Sequence, residues 1–135
     1  MVDSPMGIES IKQIDYVILP CRDMRAMRDF YLNVMRFTLA EDHENWVKFR
    51  VGSGFLTLRP RGPWRGWHDG DLAPGTVGVQ VAFRVAYGAV DECHGELVER
   101  GVEVVDPPRD QEFGHRTLFF KDPDGNVLEI YAEFE

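Results

Sequence analysis

Glu129, Tyr16 and His115 carry the side chains of this 135-residue chain best suited to moving a proton: a carboxylate, a phenol and an imidazole that titrates near neutrality. Three roles are open to Glu129: metal ligand, general base, or carboxylate paired with Arg84 or Arg59. Tyr16 would donate a proton or hydrogen bond to a ligand, or fill a half-buried core position. His115 would shuttle protons at the mouth of a site, or cap a loop. Nucleophilic catalysis finds no support, since Cys21 follows a proline and Cys93 lies in a helical pattern, neither with a histidine placed to activate it. His43, His68 and His94 have no metal-ligand spacing among them.

The cations and aromatics point to binding. Lys48, Arg50, Arg59 and Arg84 fall on one predicted inward face of the strand-like runs and would repel one another unless a carboxylate, phosphate or phenolate compensates. Arg50 and Arg59, near strand ends, have the alternative of reaching out to solvent. Trp46, Trp64 and Trp67 suit stacking on a flat ligand, the last two as a lid on a Gly/Pro-rich loop. The same pair would also suit the centre of a dimer contact.

The elements that must position these groups repeat. Residues 11–19 (IKQIDYVIL) form a predicted strand ending at Pro20, and Asp23 N-caps a helix carrying Met24, Met27, Phe30, Tyr31 and Val34 through Met35. Strand-like runs at 37–42, 46–51 and 55–59 follow, the last pair joined by a Gly52-Ser53-Gly54 turn. After the loop comes a strand at 77–85, then a helix with Val90, Cys93, Leu97 and Val98 that ends before Gly101. Strands at 102–105, 116–120 and 126–131 complete the series, with Asp122-Pro123-Asp124-Gly125 as the final turn. Tyr16 corresponds to Gln80 and Phe37 to Val102, so a βαβββ unit occurs twice at a near-constant offset. The expected fold is α+β in one domain over 1–135, with module one at about 11–60, a loop at 61–76 and module two at about 77–133. The two modules are expected to form a cupped mixed sheet with helices on its outer face.

Period-2 alternation separates the two faces. Val17, Leu19, Val47, Phe49, Val51, Leu56, Leu58, Val79, Val81, Phe83, Val85, Leu118, Phe120, Leu128 and Ile130 would lie under the helices. The opposite face would carry Tyr16, Ile18, Trp46, Lys48, Arg50, Thr57, Arg59, Gln80, Ala82, Arg84, Thr117, Phe119, Glu129 and Tyr131, a mixture suited to a ligand cup.

Composition narrows the function classes. A formal charge of −8, with 44% hydrophobic and 28% charged residues, fits a globular domain and argues against nucleic acid or an anionic membrane as partner. No run approaches the ~20 apolar residues of a membrane span, and the first seven residues lack a basic and apolar export pattern. Two cysteines without Cys-x-x-Cys spacing fit a reducing compartment, so the cytoplasm is expected.

The segments Ile14-Asp15-Tyr16-Val17, Phe30-Tyr31, Gln80-Val81-Ala82-Phe83, Gly114-His115-Arg116 and Asp122-Pro123-Asp124-Gly125-Asn126-Val127-Leu128-Glu129 together resemble the vicinal oxygen chelate superfamily of glyoxalases, bleomycin-resistance proteins and dioxygenases. The resemblance implies a ligand cup and commonly a homodimer. The family's metal positions fall on Tyr16, Thr57, Gln80 and Glu129, of which Gln80 and Glu129 alone would serve a divalent metal. The expectation is therefore a metal-free cup for a small aromatic or anionic organic molecule, sequestering it or acting on it with Glu129 and Tyr16 or His115. The alternatives are a metal-dependent glyoxalase-like lyase, isomerase or dioxygenase, and a non-enzymatic dimeric interaction module. Nothing in the sequence names the ligand.

Overall fold

The computed structural model describes residues 6–134. The first five residues, part of the segment on which export was judged, lie outside them. Module one runs β1 (Tyr16–Cys21), α1 (Met24–Asp29, prolonged by a π-helical segment Phe30–Val34), β2 (Thr38–His43), β3 (Trp46–Val51) and β4 (Gly54–Pro60). Module two repeats the order with β5 (Gln80–Arg84), α2 (Ala89–Glu99), β6 (Val104–Asp110), β7 (His115–Lys121) and β8 (Val127–Glu133). Each module makes its own four-stranded sheet, ordered β1-β4-β3-β2 and β5-β8-β7-β6. β1 pairs parallel with β4 and β5 with β8, while the remaining pairs are antiparallel. Tyr16 and Gln80, the positions matched by the repeat, are the first residues of β1 and β5.

Local chemistry explains most boundaries. The Asp23 carboxylate accepts from the Ala26 N–H at 3.0 Å and so caps α1 as expected. β1 begins at Tyr16 and not at Ile11, behind a 3₁₀ turn at Gly7–Ser10, and it continues through Pro20. An edge strand tolerates proline because its outer N–H has no ladder partner to lose. β6, the far edge of the second sheet, likewise starts at Val104, two residues later than expected, and runs through Pro107 and Pro108 with two register shifts. β5 starts at Gln80 instead of Val77.

The predicted apolar face is largely the core. Leu19, Val47, Phe49, Leu56, Leu58, Leu118, Phe120, Leu128 and Ile130 are buried, joined by Met27, Phe30 and Tyr31 from the first helical segment and Val90 and Leu97 from α2. Val17 departs from this pattern at 41% exposed, because it borders a groove between the start of β1 and β5.

A polar clasp ties the modules together. The buried Asp122 carboxylate accepts from the Tyr31 hydroxyl at 2.7 Å, the Asn126 side-chain amide at 2.9 Å, and the backbone N–H groups of Asp124 and Asn126. Asp124 in turn accepts from the Arg22 N–H at 2.8 Å, and the Arg22 guanidinium donates to the Asp124 carbonyl. The turn recognised in the sequence thus supplies acceptors to α1 and its approach, and not only a chain reversal.

The first helical segment ends in strain. Arg36 has φ +57, the one non-glycine residue with positive φ among those described. Left-handed backbone costs an L side chain roughly 1–2 kcal/mol, partly offset by glycine's extra unfolded-state freedom. Arg36→Gly is expected to raise stability by about 0.5–1 kcal/mol in urea titrations, and a loss of stability would show that the arginine side chain contributes more than the backbone strain removes.

Candidate functional site

Each sheet turns one face to its helix, and the candidate site is built on the opposite, partly open faces, where Thr57, Thr117 and Arg59 are buried and Tyr16 is exposed. In module one the register sets Tyr16–Phe55–Arg50 and Ile18–Thr57–Lys48 side by side across β1, β4 and β3. The Lys48 ammonium lies 4.4 Å from the Phe55 ring centre and 5.4 Å from that of Tyr16, and the Arg50 guanidinium lies 4.8 Å from Phe55. Tyr16 meets Trp46 edge-on at 6.3 Å. Thr57 is wholly buried, yet its hydroxyl has no hydrogen-bond partner among the described residues.

The expected repulsion among the four cations is relieved chiefly by acids of this chain. Arg59 makes two hydrogen bonds to Asp69, at 2.7 and 2.9 Å, with both side chains nearly inaccessible. Trp64 and Trp67 flank that guanidinium at 4.7 and 5.8 Å. Asp69 also accepts from the Gly62 N–H and the Trp67 indole N–H, so it organises the loop after β4. The Arg59 hydrogen bonds, then the Gly62 N–H, hold the Asp69 carboxyl well below the usual carboxylate range. Lys48 pairs with Glu41 at 3.5 Å and Arg84 with Glu133 at 3.1 Å. Arg50 has no acid partner among the described residues. Trp64 and Trp67 therefore form an ordered wall around Arg59, though Trp67 remains 55% exposed.

In module two the register sets Ala82–Glu129–Phe119 and Arg84–Tyr131–Thr117 across β5, β8 and β7, with His115 opposite Glu133. Glu129 accepts from the Gln80 amide at 3.3 Å, whereas Arg84 and Arg59 pair with Glu133 and Asp69, so the ion-pair alternative for Glu129 is not realised among the described residues. His115 opens β7 rather than capping a loop. Its ring stacks on Tyr131 at 4.6 Å, meets Phe113 edge-on at 5.3 Å, and its Nε2 lies 3.9 Å from a Glu133 oxygen. Gln111 donates to the Thr117 hydroxyl at 2.9 Å.

The structure gathers Tyr16, Trp46, Lys48, Arg50, Thr57 and Arg59 on one open face and Gln80, Arg84, His115, Thr117, Phe119, Glu129 and Tyr131 on the other. No hydrogen bond, ion pair or aromatic contact among the described residues joins the two sets. Tyr16 is 41% exposed, part of its ring being covered by Trp46 and Lys48. Sequence reasoning missed Phe55, Asp69 and Glu133. Phe55 was available from its shared parity with Thr57 and Arg59, and Glu133 from its parity with Glu129 and Tyr131. Asp69 carries no periodic signal.

Residues 13–130 match the model of the Glyoxalase/Bleomycin resistance protein/Dioxygenase superfamily. The chain belongs to that superfamily. Among solved structures, a glyoxalase/bleomycin resistance protein/dioxygenase from Nocardioides is similar with a TM-score of 0.83 and 25% identity, covering 93% of this chain and 86% of its own. A lactoylglutathione lyase from Agrobacterium tumefaciens shares the fold at a TM-score of 0.73 and 20% identity, covering 90% and 94%. The uncharacterized protein YwkD of Bacillus subtilis is 28% identical over 133 residues, covering 91% of this chain and 98% of that protein. The glyoxalase domain-containing protein RDO1 of Mycosarcoma maydis is 23% identical over 124 residues, covering 90% and 68%.

The positions that the family resemblance assigns to a metal offer few donors in this chain. The positions concerned hold two neutral hydroxyls, Tyr16 and Thr57, and one amide, Gln80, which donates to the single carboxylate, Glu129. Among the described residues no three His, Cys, Asp or Glu side chains converge. Such a set does not fit a resident divalent metal, which takes imidazole, thiolate or several carboxylates.

Proposed function

We propose that this superfamily member binds a small aromatic or anionic organic molecule on its open sheet faces without a metal. It either sequesters the molecule or moves its protons with Glu129 and Tyr16 or His115. The observation that carries this reading is the Lys48–Phe55–Arg50 group, two cations set against one ring on an uncovered face. A planar acid finds stacking surface and charge there together, which suits it better than a neutral apolar molecule. Calorimetric titration with benzoate and phenylphosphonate tests it. Binding is expected, with Lys48→Gln or Arg50→Gln weakening it about tenfold, since a hydrogen bond to a charged group contributes ~1.5–3 kcal/mol. No binding, or binding indifferent to both substitutions, would remove the reading.

A homodimer belongs to the same proposal. Met6, Ile8, Ile11 and Ile14 are 69 to 85% exposed ahead of β1, an apolar run that water disfavours unless a second copy covers it. Light scattering is expected to give twice the 15.5 kDa chain mass, and a monomer at micromolar concentration would contradict it. No helix among the described residues is long and apolar enough to cross a membrane. A cytoplasmic setting and indifference to nucleic acid rest on composition.

A further inference from the structure

A second concavity lies between the two modules, bounded by the end of the first helical segment, by α2 and by the end of β5. Its volume is about 300 Å³, and its walls are Val34, Met35 and Phe37 from module one and Phe83, Val85 and Leu97 from module two. Cys93 also lines it, partly accessible, whereas the other thiol, Cys21, is 2% exposed. The charged residues at this groove are Arg84, Arg100 and Glu96. Arg100 donates to the Val34 carbonyl at 2.6 Å and pairs with Glu96 at 2.9 Å, which fixes its guanidinium at the groove. Arg84 is held more loosely, its pair with Glu133 lying between side chains 60% and 51% exposed.

Arg36 adds an independent observation. It sits between two wall residues, Met35 and Phe37, is exposed, and has no hydrogen bond or ion pair among the described residues. It also occupies left-handed backbone that glycine would adopt without strain. Strained positions persist where the side chain has a use. Two arginines, Arg84 and Arg100, line this apolar groove against one glutamate, Glu96, and Arg36 stands beside its wall.

We propose that this groove is a second binding site, for a small amphipathic monocarboxylate. The alkyl or aryl body lies on the apolar wall between the modules, and the carboxylate is met by Arg84, Arg36 and the Glu96-paired Arg100. The volume stands at the lower end of the ~300–1,000 Å³ range of small-molecule sites, which sets the size of that body. Because the walls come from both modules, an occupant bridges them.

Octanoate is the probe, and alkylation of Cys93 by iodoacetamide, followed by mass spectrometry, is the readout, with buried Cys21 as internal control. Octanoate is expected to slow Cys93 modification at least fivefold, while acetate, which lacks the tail, and 1-octanol, which lacks the charge, do so far less. Arg84→Gln combined with Arg36→Gly is expected to raise the half-protecting concentration about tenfold. Calorimetric titration of octanoate should show the same shift, independently of the thiol. Lys48→Gln should leave protection intact, which separates this groove from the Lys48–Phe55–Arg50 group. Absence of protection, equal protection by 1-octanol, or an unchanged half-protecting concentration in the double variant would each overturn the proposal.

Discussion

Asp122→Ala is expected to cost about 3–5 kcal/mol and to lower Tm by roughly 10–15 °C. The carboxylate is the shared acceptor for the Tyr31 hydroxyl, the Asn126 amide and two backbone N–H groups, all in the clasp between modules. Removing it leaves these donors facing a void, and each unsatisfied buried donor costs ~1–3 kcal/mol, less whatever local rearrangement recovers. Tyr31→Phe deletes one donor and keeps the acceptor satisfied by the others, so it should cost about 1–1.5 kcal/mol. Urea unfolding followed by circular dichroism separates the two. An Asp122→Ala protein within about 1 kcal/mol of wild type would mean that the clasp contributes little.

The pH dependence of that loss has a defined sign. Burial raises the Asp122 carboxyl above its ordinary value of 3.8 despite the hydrogen bonds it accepts. The folded protein then holds this proton more tightly than the unfolded chain. The group's contribution is complete below 3.8 and diminishes as pH rises through the folded value. The gap between wild type and Asp122→Ala should therefore be wider in acid than near neutrality.

Asp69→Ala should show the opposite trend. Without its carboxylate the Arg59 guanidinium is stranded under Trp64 and Trp67, and the Gly62 and Trp67 N–H groups lose their acceptor. A fall in Tm of roughly 10 °C, a red shift of tryptophan emission and new proteolytic cleavage within residues 61–76 are expected. Because the folded-state carboxyl is depressed, its contribution is present above 3.8 and lost as pH falls through the folded value. The gap between wild type and this variant should narrow in acid. If both gaps moved in the same direction, one of the two electrostatic assignments would be wrong.

The sequence disclosed what periodicity can disclose. Alternation placed Leu19, Phe49, Leu58, Leu118 and Phe120 in the core, and the repeat matched Tyr16 of β1 to Gln80 of β5, although both strands start later than the sequence suggests. What it missed has two physical origins. Edge strands obey weaker rules, so Pro20, Pro107 and Pro108 lie inside strands that propensity would have ended. Counter-charges come from anywhere in the chain, so the partner of Arg59 is a loop aspartate ten residues on, and Glu129 answers to an amide and not an arginine. The face on which a strand residue lies was thus legible in the sequence, and the partner it pairs with was not.

The clasp also governs the order in which the molecule can be completed during synthesis. Tyr31 and Asp122 are 91 residues apart, and Arg22 and Asp124 are 102 apart. A ribosome that has finished module one has not yet made the acceptors that the Tyr31 phenol and the Arg22 N–H require. Module one must wait, with one buried hydroxyl unpaired, until the last hairpin emerges. Folding should accordingly be a single late event, and chains truncated before Asp122 should be held in a loosely packed form that proteases remove.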